Sequence, residues 1–105
     1  MSDYLAIGTN GCVAAIDKKS GREMWRTKLG TGIFSATSYE DVSVIIEDGM
    51  VFAGCNGHLF ALDLSSGNIL WHNELRGLGH NDVSMALGTV SVQYLQKVVR
   101  NSSRT

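Results

Sequence analysis

Residues 4–29 read YLAIGTNGCVAAIDKKSGREMWRTKL, and residues 50–75 read MVFAGCNGHLFALDLSSGNILWHNEL. The two stretches align without a gap at a constant offset, because 71 minus 25 for the tryptophans and 63 minus 17 for the aspartates both give 46. Self-similarity at a fixed period of this size indicates a repeat architecture, in which one supersecondary unit buries its faces only by stacking on the next. The chain therefore predicts two stacked units.

Repeat two, residues 41–75, predicts four antiparallel strands separated by tight turns. Asn56-Gly57 supplies the pair that a type I′ hairpin turn requires, since both of its central residues need a positive φ. Ser65-Ser66-Gly67 predicts a second tight turn, with Gly67 in the left-handed conformation. The four predicted strands cover residues 42–46, 50–54, 58–64 and 69–75.

Repeat one, residues 4–29, has the same parts except for the first strand. Its predicted strands cover residues 4–8, 12–18 and 23–29 around an Asn10-Gly11 turn. Residues 82–87 read DVSMAL and restate the DVSVII of residues 41–46, so they predict a surplus first strand that completes a blade. Residues 90–94 predict a further strand without an assignable partner, and the polar tail at 95–105 is expected to fray.

Continuous apolar runs at residues 13–16 and 59–62 indicate strands that are covered on both faces. Together with the period, they predict an all-β fold of four-stranded antiparallel β-propeller blades, about two per chain, in a single unit over residues 1–105. Closed propellers need roughly four to eight blades. Two blades must therefore associate into a head-to-tail ring or be a fragment of something larger.

Both repeats carry the pattern Ala-x-Asp-x-x-Ser-Gly-x-x-x-Trp. The aspartate is expected to accept hydrogen bonds from the serine and glycine amides of the next turn, and the tryptophan to stack on the neighbouring blade and bond a backbone carbonyl there. The small alanine lets the adjacent sheet approach. The motif residues are Ala15, Asp17, Ser20, Gly21 and Trp25 in repeat one, and Ala61, Asp63, Ser66, Gly67 and Trp71 in repeat two.

Over residues 4–87 this pattern resembles the repeat of the pyrroloquinoline-quinone-type (PQQ-like) propellers, A-x-D-x-x-T-G-x-x-x-W, with serine in place of threonine. Eight blades are common among proteins with this motif, so the resemblance favours a homotetramer over a homotrimer. Some members are quinoprotein dehydrogenases of alcohols or sugars, which use an adjacent cysteine pair, a calcium ion and a catalytic aspartate. Other members are non-catalytic scaffolds, including outer-membrane assembly lipoproteins.

The resemblance to the scaffolds is the better match, because Cys12 and Cys55 are not adjacent and neither has a second ligand at metal-binding spacing. We expect no enzymatic activity, no cofactor and no metal, and a scaffold or interaction module assembled from several short chains. Two alternatives stay open: a truncated piece of a quinoprotein-like dehydrogenase, and an oligomeric propeller that binds a small ligand or sugar.

The composition excludes two classes of binding partner, nucleic acids and membranes. Nine Lys and Arg against ten Asp and Glu give a net charge of −1, which excludes a nucleic-acid binder that works by neutralising phosphates. No apolar run is long enough to span a membrane, and the amino-terminal residues lack a secretory signal, so the chain as given is expected to be cytoplasmic and not membrane-bound.

Loops between blades are the places where binding groups are expected, because the strands are used in packing. Two connectors, residues 30–40 and 76–81, are expected to lie on one face beside the Asn-Gly turns. Polar and aromatic side chains there form a candidate ligand face for a protein or small polar ligand, whereas His58 and His72 on strands are interpreted as packing residues. The candidate ligand-face residues are Ser35, Thr37, Tyr39, Glu40, His80 and Asn81.

Overall fold

The computed structural model describes residues 3–30 and 37–88, which form seven strands in two antiparallel sheets. Sheet one contains β1 (Tyr4–Thr9), β2 (Cys12–Asp17) and β3 (Glu23–Lys28). Sheet two contains β4 (Ser43–Glu47), β5 (Met50–Cys55), β6 (His58–Asp63) and β7 (Ile69–Asn73). Each strand pairs with the next one along the chain. The all-β class, the strand order and the missing first strand of repeat one are as predicted.

The Asn-Gly turns have the backbone that the sequence predicts. Asn10 and Gly11 have φ values of 56° and 75°, and Asn56 and Gly57 have 48° and 82°. Positive φ at both central residues is the type I′ geometry, whose twist matches that of the flanking strands. These turns set the register of the β1–β2 and β5–β6 hairpins, which pair Thr9 with Cys12 and Cys55 with His58.

The two sheets share one register, so equivalent residues form equivalent rows across the strands. Ala6, Ala15 and Trp25 are direct partners across sheet one. Phe52, Ala61 and Trp71 are direct partners across sheet two. Because partners opposite one another project from the same face of a sheet, each motif tryptophan shares a face with its motif alanine.

The core lies between the two sheets. Val13 and Leu29 of repeat one are buried against a cluster from repeat two, and Tyr4, Ala6 and Trp25 pack at its margin. Sheet one therefore covers one face of sheet two, as the continuous apolar runs indicate. The repeat-two members of the cluster are Val51, Ala53, Cys55, Phe60, Leu62 and Leu64.

Residues 82–87 are not paired as a strand in the described structure, which differs from the sequence prediction. A strand needs a partner ladder, and the strands that would follow this one in a blade are absent from the described residues. The segment nevertheless begins where a first strand would. Val83 lies against Gly54, where an added Cβ would be 2.5 Å from the Val83 Cβ, just as Val42 lies against Gly8. Ser43 Oγ also donates to Val83 O at 2.6 Å.

The remaining predictions for chain segments cannot be placed. Ser35, the further strand at 90–94 and the tail at 95–105 lie outside the described residues. Within residues 3–30 and 37–88, no helix is long and apolar enough to cross a membrane.

Candidate docking surfaces

The contact between the two sheets is centred on Trp25. Its indole Nε1–H donates to the Leu64 carbonyl at 2.7 Å, and its ring lies so close over Gly67 that a Cβ there would be 2.5 Å from two ring carbons. Thr27 Oγ1 donates to the Gly67 carbonyl at 2.6 Å beside it. Trp25 thus makes the stacking and carbonyl contact across blades that the motif predicts.

On the outward face of sheet two, the second motif tryptophan has no such cover from the described residues. Trp71 is 44% exposed, and its ring centroid lies 6.1 Å from that of Phe52 on the same face. Trp71 is the repeat-equivalent of Trp25, so it holds the position from which a tryptophan reaches the next blade. We call the surface formed by Phe52, Ala61 and Trp71 the tryptophan face.

The outward face of sheet one is apolar in the same way. Leu5 and Ile7 are 51% and 41% exposed, although their repeat-equivalents Val51 and Ala53 are fully buried in the core. Near them, Gly21 has no described atom within 4 Å of the position that a Cβ would take, whereas its equivalent Gly67 is covered by Trp25. We call the surface formed by Leu5, Ile7 and Gly21 the socket face.

The motif aspartates stabilise turns. Asp63 Oδ2 accepts from Ser65 Oγ at 2.8 Å, from Ser66 Oγ at 2.8 Å and from the Ser66 amide at 3.0 Å. The glycine amide differs from the prediction, because Gly67 N–H donates to the main-chain carbonyl of Asp63 at 2.7 Å instead of the carboxylate. Gly67 has a left-handed φ of 81°, a conformation that glycine adopts without steric cost.

Asp17 stabilises its turn in the same way, except that its carboxylate binds the amide of Lys19 and not that of the motif serine. Its carboxylate accepts from the Lys19 amide at 3.0 Å and from Ser20 Oγ at 3.1 Å, while Gly21 N–H donates to its carbonyl at 2.7 Å. Hydrogen bonds to the charged form lower the pKa of both carboxyl groups below the usual 3.8, chiefly from the Lys19 amide at Asp17 and from the Ser66 side chain at Asp63. The aspartates are thus held as turn residues.

In the first connector, Thr37 lacks the exposure that a ligand-face residue needs, whereas Tyr39 and Glu40 are exposed. Thr37 is only 2% exposed, because its carbonyl packs on Gly11 and accepts from Cys55 Sγ at 3.6 Å. The Glu40 carbonyl accepts from the Gly11 amide at 2.7 Å, which closes the connector over the Asn10-Gly11 turn. Tyr39, at 80% exposure, points into solvent. Thr37 is therefore not available to a ligand.

The second connector closes over the other Asn-Gly turn, where Gly79 O and His80 pack on Gly57. His80 lines a cavity of about 250 Å³, while Asn81 is exposed nearby in the sequence. The cavity lining does not include Thr37, Tyr39 or Glu40 of the first connector. Its lining residues are His58, Glu74, Leu75, Arg76, Gly77, Gly79 and His80.

Three histidines lie close together here, an arrangement that the sequence analysis missed: His58 and His80 line the cavity, and His72 contacts His58. His58 Nδ1 and His72 Nε2 lie 2.8 Å apart, His58 and His80 have ring centroids 6.4 Å apart, and the His72 ring stacks on Phe60 at 4.2 Å. Burial, followed by the charges of His72 and His80, lowers the pKa of His58, and Glu74 opposes this shift. The repeat offers a signal, because His58 and His72 replace Cys12 and Arg26 of repeat one.

These histidines do not form a metal centre. Among the described residues, no group of three or more His, Cys, Asp or Glu side chains has the arrangement needed to hold a metal ion. Both cysteines are free, with Cys12 half-buried and Cys55 fully buried. Burial raises the pKa of Cys55 to about 11, so its thiol stays protonated at neutral pH.

Residues 2–104 match the protein family described as outer membrane protein assembly factor BamB. BamB of Yersinia pestis is 34% identical over 88 residues, which cover 79% of this chain and 22% of that protein. BamB of Escherichia coli K12 is 37% identical over 73 residues, which cover 65% of this chain and 19% of that protein. The chain thus spans about a fifth of the length of the curated relatives that it matches.

Solved structures give the same answer for the fold. BamB from Moraxella catarrhalis superposes with a TM-score of 0.56 at 25% identity, over 71% of this chain and 22% of that one. Quinohemoprotein alcohol dehydrogenase from Comamonas testosteroni superposes with a TM-score of 0.58 at 19% identity, over 78% of this chain and 13% of that one. The enzyme likeness concerns the fold alone.

The two sheets therefore resemble propeller blades of BamB and of quinoproteins, stacked through a motif tryptophan. By its repeats and its match over residues 2–104, this chain belongs to the BamB family of PQQ-like β-propeller proteins.

Proposed function

We propose that this chain is a non-catalytic β-propeller scaffold, an interaction module in which several copies assemble head to tail into a closed ring. One observation carries the proposal. Leu5 and Ile7 are exposed at positions where sheet two buries Val51 and Ala53, so sheet one presents to solvent a face that is built to be covered. Large exposed apolar surfaces mark protein-interaction sites.

The strand arrangement supports the same assembly. Sheet one has three strands where sheet two has four, and residues 82–87 repeat the sequence of a first strand without forming one in the described part of the chain. A neighbouring copy could take up this segment beside β1, which would remove two open edges at once. Three copies would provide six blades and four would provide eight, of which we favour the tetramer.

The scaffold role without catalysis rests on the relatives and on the motif residues. The curated relatives are named assembly factors, and the two motif aspartates of this chain are engaged in turns. We extend the assembly role to this chain as a binder of other proteins.

Solution mass tests the proposal. Size-exclusion chromatography with light scattering at micromolar concentration should give three or four times the 11.4 kDa chain mass. A folded species at 11.4 kDa would contradict self-assembly. Large heterogeneous aggregates would instead support the alternative, a piece of a larger quinoprotein-like protein whose blade faces are normally covered by further blades.

The cavity beside His80 favours a second candidate function, the binding of a small polar ligand or sugar. Its volume, about 250 Å³, lies just below the roughly 300 to 1,000 Å³ of pockets for drug-sized molecules, so it suits a single sugar ring. Histidine NMR shifts should move when the correct sugar from a panel of monosaccharides is added, and His80→Ala should abolish the change. Unchanged shifts at millimolar sugar would refute this candidate.

A further inference from the structure

We propose that the second connector, residues 76–81, leaves the Asn56-Gly57 turn at mildly acidic pH, when His58 and His72 both become positively charged. The change takes place within one chain, so it does not depend on the proposed self-assembly. Three features carry it: a hydrogen-bonded pair of histidines, a third histidine on the connector, and the turn on which the connector lies.

The histidine pair accepts one added proton but not two. His58 Nδ1 and His72 Nε2 lie 2.8 Å apart, so one of these nitrogens donates to the other. One added proton on an outer ring nitrogen leaves this bond in place, because the pair still contains an acceptor at the contact. When both imidazoles are charged, every ring nitrogen is a donor, and two N–H groups face each other. The two rings must then move apart.

Packing determines which ring moves. The His72 ring stacks on the buried ring of Phe60, with centroids 4.2 Å apart and planes 7° from parallel. Phe60 and His72 are also direct partners in the β6–β7 ladder. The His58 ring has no such support beneath it, since its centroid lies 6.4 Å from that of Phe60. Separation of the pair is therefore expected to move His58.

His58 links the pair to the connector. Its ring centroid lies 5.0 Å from that of His72 and 6.4 Å from that of His80. Among the described residues, no ring contact joins His72 directly to His80. A charged His58 that leaves His72 thus meets the ring of His80 and, once that ring is charged as well, repels it.

The connector lies on its turn by packing. The Gly79 carbonyl and the Cα of His80 contact Gly57, where an added Cβ would be 2.9 Å from that Cα. Among the described residues, no main-chain hydrogen bond joins Gly57 to the connector. Repeat one differs at this point, because the Gly11 amide donates to the Glu40 carbonyl at 2.7 Å. We therefore expect the second connector to be released more easily than the first.

The charges nearby make a second proton on the pair unfavourable while the connector is closed. Burial, followed by the charges of the other two histidines, lowers the pKa of His58, and Glu74 opposes this shift. Arg76 adds a cation at the cavity, 3.9 Å from Glu74. Cys55, the cross-strand partner of His58, has a pKa of about 11 and stays neutral. The carboxylates that act on Cys55 are Glu40, Asp41 and Asp82.

The direction of the pH effect follows from these charges. A lowered folded pKa means that the closed connector is fully stabilised above the ordinary histidine value of 6.5. This stabilisation is lost as the pH falls through the folded pKa. Acid should therefore open the connector, and a return to neutral pH should close it.

Proton NMR of the full-length chain at about pH 8 and about pH 5, which bracket the charge change of histidine, tests the proposal. At the higher pH we expect a nuclear Overhauser effect between the Hα atoms of Gly57 and His80, because these residues are in contact. At the lower pH this effect should disappear. The control is the same effect between Gly11 and Ser38, whose Cα would lie 3.3 Å from a Cβ on Gly11, and it should persist at both pH values.

The variant His72→Gln tests whether the pair is the cause. Glutamine gains no charge in acid, so the effect between Gly57 and His80 should persist at the lower pH. Arg26→Gln is the matched control, because Arg26 occupies the position of His72 in repeat one, and this variant should open like the wild type. Circular dichroism identifies a variant that fails to fold, and the comparison of the wild type at two pH values then decides.

Three results would overturn the proposal. The effect between Gly57 and His80 could persist in the wild type at the lower pH, which would show a closed connector. The control effect between Gly11 and Ser38 could disappear with it, which would show general unfolding. Opening of His72→Gln at the same pH as the wild type would show that the histidine pair does not control the connector.

Discussion

Replacing Trp25 by alanine is the most direct test of the contact that joins the two sheets. The change removes an indole that packs over Gly67 and a hydrogen bond of 2.7 Å to the Leu64 carbonyl. Truncation of a buried Phe or Trp to alanine costs about 3 to 5 kcal/mol. Because Trp25 is half-buried, we expect the lower end, about 3 kcal/mol.

The stability loss should be visible in thermal unfolding followed by far-ultraviolet circular dichroism. For a domain of this size, 1 kcal/mol shifts Tm by about 4 to 8 °C, so Trp25→Ala should lower Tm by about 12 to 24 °C. Trp25→Phe keeps an aromatic ring but loses the N–H donor. The missing hydrogen bond should therefore cost about 1 kcal/mol, in addition to the cost of the altered packing.

Leu78→Ala is the control, because Leu78 is exposed in a loop and should leave Tm within about 4 °C of the wild type. A Trp25→Ala protein that also melts within about 4 °C of the wild type would refute the reasoning. The tryptophan would then contribute little to the association of the sheets, and the register drawn from the repeat would have to be abandoned.

Three further predictions concern ionisable groups. Because the pKa of His58 is lowered, the folded state favours the neutral ring. Its contribution to stability is therefore present above the ordinary pKa of 6.5 and is lost as the pH falls through the folded pKa. NMR titration should give His58 a midpoint below 6.5, and a midpoint above 6.5 would contradict this prediction. The lowered pKa of Asp63 predicts a contribution to the free energy of unfolding that is present above pH 3.8 and lost as the pH falls through the folded pKa. Asp63→Asn should therefore reduce the loss of stability at acid pH, measured by urea unfolding. An unchanged loss at acid pH would argue against the turn hydrogen bonds. Cys55, whose pKa is raised to about 11, should react with a thiol reagent at pH 8 only when the protein unfolds. Half-buried Cys12 should react in the native protein. Equal reaction rates of the two thiols in the native protein would show that Cys55 is accessible.

Local chemistry explains why so much of the fold is predictable. Asn10-Gly11 and Asn56-Gly57 specify a turn that few other pairs allow, and the continuous apolar runs beside them require cover on both faces. Strand bounds, hairpin register and the missing first strand of repeat one follow from these features. The inter-blade role of Trp25 was predictable because the motif occurs twice at one offset.

The candidate site was less predictable, because it depends on groups that are distant in the sequence. Thr37 reads as a polar loop residue, yet packing on Gly11 and Cys55 buries it. His58, His72 and His80 come from two strands and a loop, and their spacing in the sequence does not predict that His58 contacts His72 or that His58 and His80 line one cavity.

The sequence by itself determined the repeat, the strands and the turns of this protein, because each depends on neighbouring residues and on the constant offset of 46 between the two copies. Only the tertiary structure decided which tryptophan is covered. Trp25 and Trp71 occupy the same motif position, but Trp25 has a second sheet beside it and Trp71 faces solvent. The physical reason is that a motif tryptophan is buried only where a neighbouring sheet packs over it. The sequence of one repeat does not specify whether that neighbouring sheet is present.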